Sequence, residues 1–226
     1  MHGPFIVFEG PEGSGKSTQA NRLAARLQAS GQRVRLTREP GGTAIGERIR
    51  AILLSDQSAE MRPETEALLY AAARAQHVAE VLRPGVEHGE IVICDRFADS
   101  SIAYQAGGRG LPAEEVTGIQ RLATGGLTPD LRILLDLPAE AGLARRFSAG
   151  EDVNRLDRAE LAFHQRVRDC YLGLAAAAPE VWAVIDAGRS PEEVAADVDL
   201  AVDRLLEGWP GGRSADAAGT GSGDVE

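Results

Sequence analysis

Apolar residues in this chain come in short runs separated by stretches of helical spacing. Phe5–Phe8, Val34–Leu36, Ile91–Cys94, Ile133–Leu135 and Val181–Ile185 are the principal runs. Runs this short, without polar alternation on one face, read as strands buried on both sides of a sheet. After the first of them, Ala20, Leu23, Ala24 and Leu27 recur at helical spacing, and Gly31 supplies a stop. The longest helix candidate follows Pro63 and sets Leu68, Ala71, Ala72, Ala75, Val78 and Leu82 on one face. Strands that alternate with helices form βαβ units, which predicts an α/β fold: a parallel sheet covered by helices on both faces. No internal repeat is visible. The chain of 226 residues suits one such domain, spanning 1–207. From 208 to 226 the sequence turns to Gly, Ser, Ala and Asp, and is expected to form a disordered tail because it has too little apolar bulk to offset ordering entropy.

Composition narrows the partners. A net charge of −10 argues against a nucleic-acid groove, which needs Lys and Arg to neutralise phosphates. No apolar stretch is long enough to span a bilayer, so no membrane partner is expected. Met1-His2-Gly3-Pro4 leads directly into the first strand, leaving no room for a signal peptide. Cys94 and Cys170 are the only cysteines; both read as packing residues, and a cytoplasmic location is expected.

Positive charge is distributed unevenly by type. Lys16 is the single lysine among 24 Lys and Arg residues, and it lies in Gly10-Pro11-Glu12-Gly13-Ser14-Gly15-Lys16-Ser17. This segment matches G-x-x-x-x-G-K-[ST], a loop whose backbone N–H groups cradle phosphates, whose Lys reaches the terminal ones and whose hydroxyl binds Mg²⁺. The order strand, glycine loop, helix aims a helix N-terminus at an anion. Asp95, at the end of the third apolar run, stands where a carboxylate would hold Mg²⁺, usually through water. Arg96 adjoins it, at the carboxyl ends of the strands where ligands of open α/β sheets gather. Arg38 and Arg50 could grip a second phosphate in fork geometry. Tyr70 and Arg74 share a helix face, a ring and a planar donor that could address a base; alone they would read as a half-buried ring and a solvated charge. His77, His88 and His164 lack metal-ligand spacing and read as solvated or packing residues. Arg145-Arg146 and Arg155 flank a polar stretch that could close as a flap on a transferring phosphoryl group.

Five ordered blocks then coincide with one family. They are Phe8–Thr18, Thr37–Thr43, Tyr70–His77, Asp95–Gln105 and Phe163–Arg168. Together they resemble the bacterial thymidylate kinases, which are nucleoside-monophosphate kinases, from about Phe5 to about Leu206. The resemblance implies a P-loop NTPase fold with a five-stranded parallel sheet and a short lid at about 146–156. It also implies ATP- and Mg²⁺-dependent phosphorylation of dTMP to dTDP by a homodimer. Carried over by position, Gly10, Pro11, Glu12, Gly13, Ser14, Gly15, Lys16, Ser17 and Thr18 would bind ATP, with Ser17 and Asp95 at the metal. Glu12, Arg38, Arg50, Tyr70, Arg74, Arg96, Ser101, Tyr104 and Gln105 would bind dTMP, and Lys16, Arg96, Arg146 and Arg155 would serve catalysis. Gly13 stands where some members have a basic residue, which places the chain with those whose catalytic arginines come from the lid. Tyr70 replaces a more usual Phe, Asn154 a more usual Asp, and the lid is poor in arginine. A kinase of another deoxynucleotide, or of a deoxynucleoside, is the alternative; the latter would need a carboxylate base at a hydroxyl acceptor. A GTPase switch is disfavoured because its guanine-reading Asn-Lys-x-Asp element needs a second lysine.

Overall fold

A computed structural model describes residues 2–148 and 156–209. Five strands, β1 (Phe5–Glu9), β2 (Val34–Arg38), β3 (Ile91–Asp95), β4 (Leu131–Asp136) and β5 (Trp182–Asp186), form one sheet in the order β2-β3-β1-β4-β5. Every pairing is parallel, with Val7 opposite Cys94 and Phe8 opposite Ile133. The apolar runs found all five strands but ended each of them early. The strands run on into Glu9, Arg38, Asp95, Asp136 and Asp186, polar residues at the carboxyl edge where the site lies. Conversely, the last strand starts at Trp182, because Pro179–Val181 forms a 3₁₀ turn instead.

Helices α1 (Lys16–Ala29), α2 (Ala44–Leu54), α3 (Pro63–His77), α4 (Arg83–Glu87), α5 (Ala98–Ser101), α6 (Ala113–Thr124), α7 (Ala139–Ser148), α8 (Leu161–Ala177) and α9 (Pro191–Glu207) fill the connections. Strand alternation divides the core. Ile6, Phe8, Ile93, Ile133 and Leu135 meet Leu23 and Leu27 of α1 and Val198 and Val202 of α9. Phe5, Val7, Val92 and Cys94 point the other way, toward Val78, Leu82 and Phe97. A third cluster, with Tyr104, Leu134, Phe163, Val167 and Tyr171, braces α8 beside the cavity. Two helix starts are fixed by side chains: Thr43 Oγ1 accepts the Gly46 N–H at 2.9 Å, and Ser190 with Glu193 forms a capping box.

Helix α3 departs from the expected face. Leu68 is 56% exposed, and Ala72 and Ala75 also face outward. Glu66, Arg74 and His77 are buried instead, with Tyr70 half-buried beside them. Of the expected face within α3 only Ala71 is buried, and with Ala67 and Ala73 it shares the inward side with a polar stripe at positions 66, 70, 74 and 77. A wide π-helical turn over Val78–Leu82 then joins α3 to α4, returning Val78 and Leu82 to the core.

Most of the expected lid, and the expected tail from 210 on, lie outside the described residues. Arg155 and Asn154 are among them.

Candidate active site

A cavity of about 770 Å³ opens at the carboxyl ends of the strands. Its lining includes Glu12, Lys16 and Ser17 of the phosphate loop and α1, Arg38, Arg50 and Tyr70, Asp95, Arg96, Tyr104 and Gln105, and Arg145 and Arg146 of α7. Sequence reading had assigned all of these except Arg145 to binding or catalysis, and the fold brings them to one place.

The phosphate loop joins β1 to α1. Gly15 caps α1 in the left-handed region, with no side-chain cap and no acidic residue in the first turn, so its amide groups stay available to an anion. Gly13 also has positive φ, and a Cβ there would sit 2.0 Å from the carbonyl oxygen of Gly142 in α7. Only glycine fits this backbone-to-backbone contact. Lys16 is buried and folds back over the loop, donating to Pro11 O at 2.7 Å and Ser14 Oγ at 3.3 Å. Burial and the nearby Arg96 lower its pKa to about 8, against the opposing pull of Glu12, Asp95 and Glu9.

Ser17 Oγ donates to the Asp95 carboxylate. A hydroxyl and a carboxylate in contact form a hard-oxygen set that suits Mg²⁺. Among the described residues no group of three or more His, Cys, Asp or Glu could hold a metal. The remaining positions around such an ion would therefore fall to phosphate oxygens and water.

Arg96 is the hub. It is the one non-glycine residue with positive φ among those described, held there by its N–H to Phe8 O at 2.9 Å. Its guanidinium donates to Glu12 Oε1 and Tyr104 Oη, both at 3.0 Å, and to Gly10 O at 3.1 Å. Tyr104 Oη in turn donates to Glu12 Oε1 at 2.9 Å. Burial pushes the Glu12 carboxyl up, but Arg96, Lys16 and the Tyr104 hydroxyl outweigh it and hold the pKa at about 2. The ring of Tyr104 lies under the Arg96 guanidinium, 4.9 Å from its centroid.

Arg38, at the end of β2, and Arg50, on α2, converge on one carbonyl: both donate to Pro40 O, at 2.9 and 3.0 Å. Burial and Arg38 together lower the Arg50 pKa from its ordinary value. Two like charges this close are poised for a doubly charged anion.

Arg74 lies behind the wall, not on it. It is 1% exposed and donates to Glu39 Oε2 at 2.7 Å, Ser101 Oγ at 2.9 Å, Phe97 O at 2.8 Å and Gln120 Oε1. His77 bridges Glu39 and Thr37, at 2.9 and 2.7 Å. Arg74 thus reaches the cavity through Ser101. The lid arginine Arg146 donates to Asp157 Oδ2 at 3.2 Å, and Arg145 to Ala187 O at 2.8 Å.

Four buried carboxylates are not singled out by the sequence: Glu9, Glu39, Glu66 and Asp157, the last of them the partner of Arg146. Glu9 accepts from Phe97 N–H at 2.9 Å, Ser100 Oγ at 2.6 Å and Tyr171 Oη at 2.8 Å, pinning the turn that carries Arg96. Burial and the neighbouring Asp99 raise its pKa to about 7. Its signal was a Glu ending a wholly apolar strand. For Glu66 the signal was the i, i+4, i+8 spacing with Tyr70 and Arg74.

Residues 8–198 match the model of the thymidylate kinase family. A thymidylate kinase of Thermomicrobium roseum is 53% identical over 203 residues, 90% of this chain and 96% of that protein. Thymidylate kinases of Deinococcus radiodurans and Pelotomaculum thermopropionicum are 52% and 48% identical, covering 88% and 95% of this chain and 96% and 99% of their own lengths. The matched stretch contains the phosphate loop, both arginine clusters and the polar face of α3, and the chain belongs to the thymidylate kinase family.

Proposed function

We propose that this chain transfers the γ-phosphoryl group of ATP to dTMP, giving dTDP and ADP. The observation that carries the reading is the pairing of two phosphate-directed poles in one cavity. Lys16 and the loop amides form one, and Arg38, Arg50 and Arg96 form the other. A hydroxyl acceptor would need a carboxylate base, whereas dTMP brings its own anionic nucleophile. Glu12 is tied to Arg96 and Tyr104 with its pKa at about 2, which suits it to orienting neighbours and not to taking a proton.

In this reading an oxygen of the dTMP phosphate attacks the γ-phosphorus, and the bond from that phosphorus to the bridging oxygen breaks as ADP leaves. Arg38, Arg50 and Arg96 hold the attacking phosphate; Lys16 and the loop amides hold the donor. Arg146 and Arg155 would neutralise charge from the lid side. Ser17 and Asp95 would hold Mg²⁺, which would offset negative charge on the donor phosphates. Tyr70 offers the face on which a base would stack, and Ser101, Tyr104 and Gln105 the polar wall. Positioning and charge neutralisation are then the main sources of rate.

A homodimer is proposed as well. Ile45 and Ile52 of α2, Leu68 of α3 and Leu122 of α6 are exposed on adjacent helices, and a second copy would cover them. Two unpaired cysteines, one fully buried, support the cytoplasm as the place of work.

The test is ADP release from ATP and Mg²⁺ with dTMP, dUMP, dCMP, dGMP, UMP and thymidine offered in turn. Strong turnover with dTMP is expected. Turnover with thymidine but not dTMP would overturn the phosphate-acceptor reading.

A further inference from the structure

Gln105 lies on the π-helical segment Ile102–Gly108 and lines the cavity, yet is almost fully buried. A glutamine amide offers a donor at one end and an acceptor at the other, so its recognition value depends on which end faces the ligand. Here the choice is made from behind. Gln105 Nε2 donates to Glu66 Oε1 at 3.0 Å. Glu66 is 1% exposed and is held by a two-point contact from Arg109, whose Nε lies 3.2 Å from Oε1 and whose Nη2 lies 3.1 Å from Oε2. Arg109 is itself fixed over the Phe163 ring, 4.7 Å from its centroid. A carboxylate paired in this way is ionised and can only accept. Turning the amide around would set Gln105 Oε1 against a carboxylate oxygen, two acceptors in a buried place with no proton between them.

From this geometry we infer that Glu66, clamped by Arg109, is a positioning residue for base selection: it fixes Gln105 so that its carbonyl oxygen is the amide end left for the cavity. The inference rests on the dTMP-kinase reading above. An acceptor at this place pairs with a pyrimidine that carries a proton at ring N3, as thymine and uracil do. It repels cytosine, whose N3 is itself an acceptor. Glu66 touches neither substrate nor reacting atoms and acts through Gln105.

The decisive comparison is kcat/KM for dTMP against dCMP in the native chain and in Glu66→Gln. The variant keeps size and one acceptor but adds an NH₂ that can donate to Gln105, so both amide orientations are satisfied. The dTMP-to-dCMP ratio should fall about tenfold, one good discriminating contact being worth roughly that much, mostly through KM. In a Gln105→Ala background the same change should leave the ratio where Gln105→Ala put it. Should Glu66→Gln not fold, Arg109→Leu, at a side chain 23% exposed, carries the same prediction. Without Arg109 the carboxylate loses its two-point clamp, and Gln105 loses the fixed acceptor that sets its orientation. Equal proportional losses on both nucleotides, or an unchanged ratio, would overturn the inference while leaving the function intact. No dTMP turnover by the native chain would overturn both.

Discussion

Replacing Glu12 with Gln removes one charge from the centre of the site and leaves the shape. Glu12 is 18% exposed on its side chain and faces Arg96, itself 15% exposed. Glu12 Oε1 takes the hydrogen bonds of both Arg96 and Tyr104, and a glutamine oxygen can take the same two. The change therefore isolates the ionic part. The folded carboxyl is held at about 2 against an ordinary 4.5. Each pH unit of that gap corresponds to about 1.4 kcal/mol, so at pH 7 the charge contributes about 3 kcal/mol to folding. Because the folded value is the depressed one, the contribution is complete above pH 4.5 and is lost as pH falls toward 2. Urea unfolding of the two proteins at pH 7, 5, 4 and 3 measures it directly. The gap should be about 3 kcal/mol at pH 7, or roughly 6–12 °C in Tm for a chain of this size, and about half that at pH 3. A gap independent of pH, or below about 1 kcal/mol at neutrality, would mean that Arg96 is satisfied without Glu12 and that the hub has been misread.

Three other perturbations follow from the same geometry. Lys16→Ala should cut kcat by about 10²–10³, the scale of losing one preorganised charge contact, while circular dichroism and Tm stay close to native; activity within a few fold of native would remove Lys16 from the chemistry. Arg74→Ala should lower stability by about 3–5 kcal/mol, because it strands Glu39 as a buried, partly unpaired carboxylate; chemical denaturation showing a loss below 1 kcal/mol would place Arg74 outside the structural frame. If the chain forms the proposed homodimer, native protein should sediment as a dimer at micromolar concentration and Leu122→Asp, at a side chain 85% exposed, as a folded monomer. A monomeric native chain, or a variant that stays dimeric, would overturn the proposed contact.

The strand order could not be read from the chain, but the strands themselves and the phosphate loop could, because apolar runs and glycine spacing are local properties. What escaped was polar burial. Glu9, Glu39 and Glu66 look like surface residues by type, and only their partners, Ser100 and Tyr171, Arg74 and His77, Gln105 and Arg109, make them interior. Those partners lie between 35 and 162 residues away. The same cause misplaced the face of α3. Apolar spacing assigned Leu68, Ala72 and Ala75 to the core, while the interior in fact wanted Glu66, Arg74 and His77 to organise the cavity wall. Sequence reads Arg74 as a base contact from the helix face it shares with Tyr70 and from the family resemblance; in the structure its side chain is buried one layer behind the cavity wall.

The contact between Gly13 and Gly142 has a consequence for how the enzyme could change over evolutionary time. A Cβ at Gly13 would fall 2.0 Å from Gly142 O, and one at Gly142 would fall 2.2 Å from Glu12 O. Neither glycine can be replaced alone without prising α7 from the loop, and α7 is the helix that carries Arg145 and Arg146. A cationic side chain grafted onto the loop at position 13 would push away the arginines already supplied from α7. Loop-borne and helix-borne arginines are thus competing architectures on this backbone. Passage from one to the other requires the loop and α7 to move apart together.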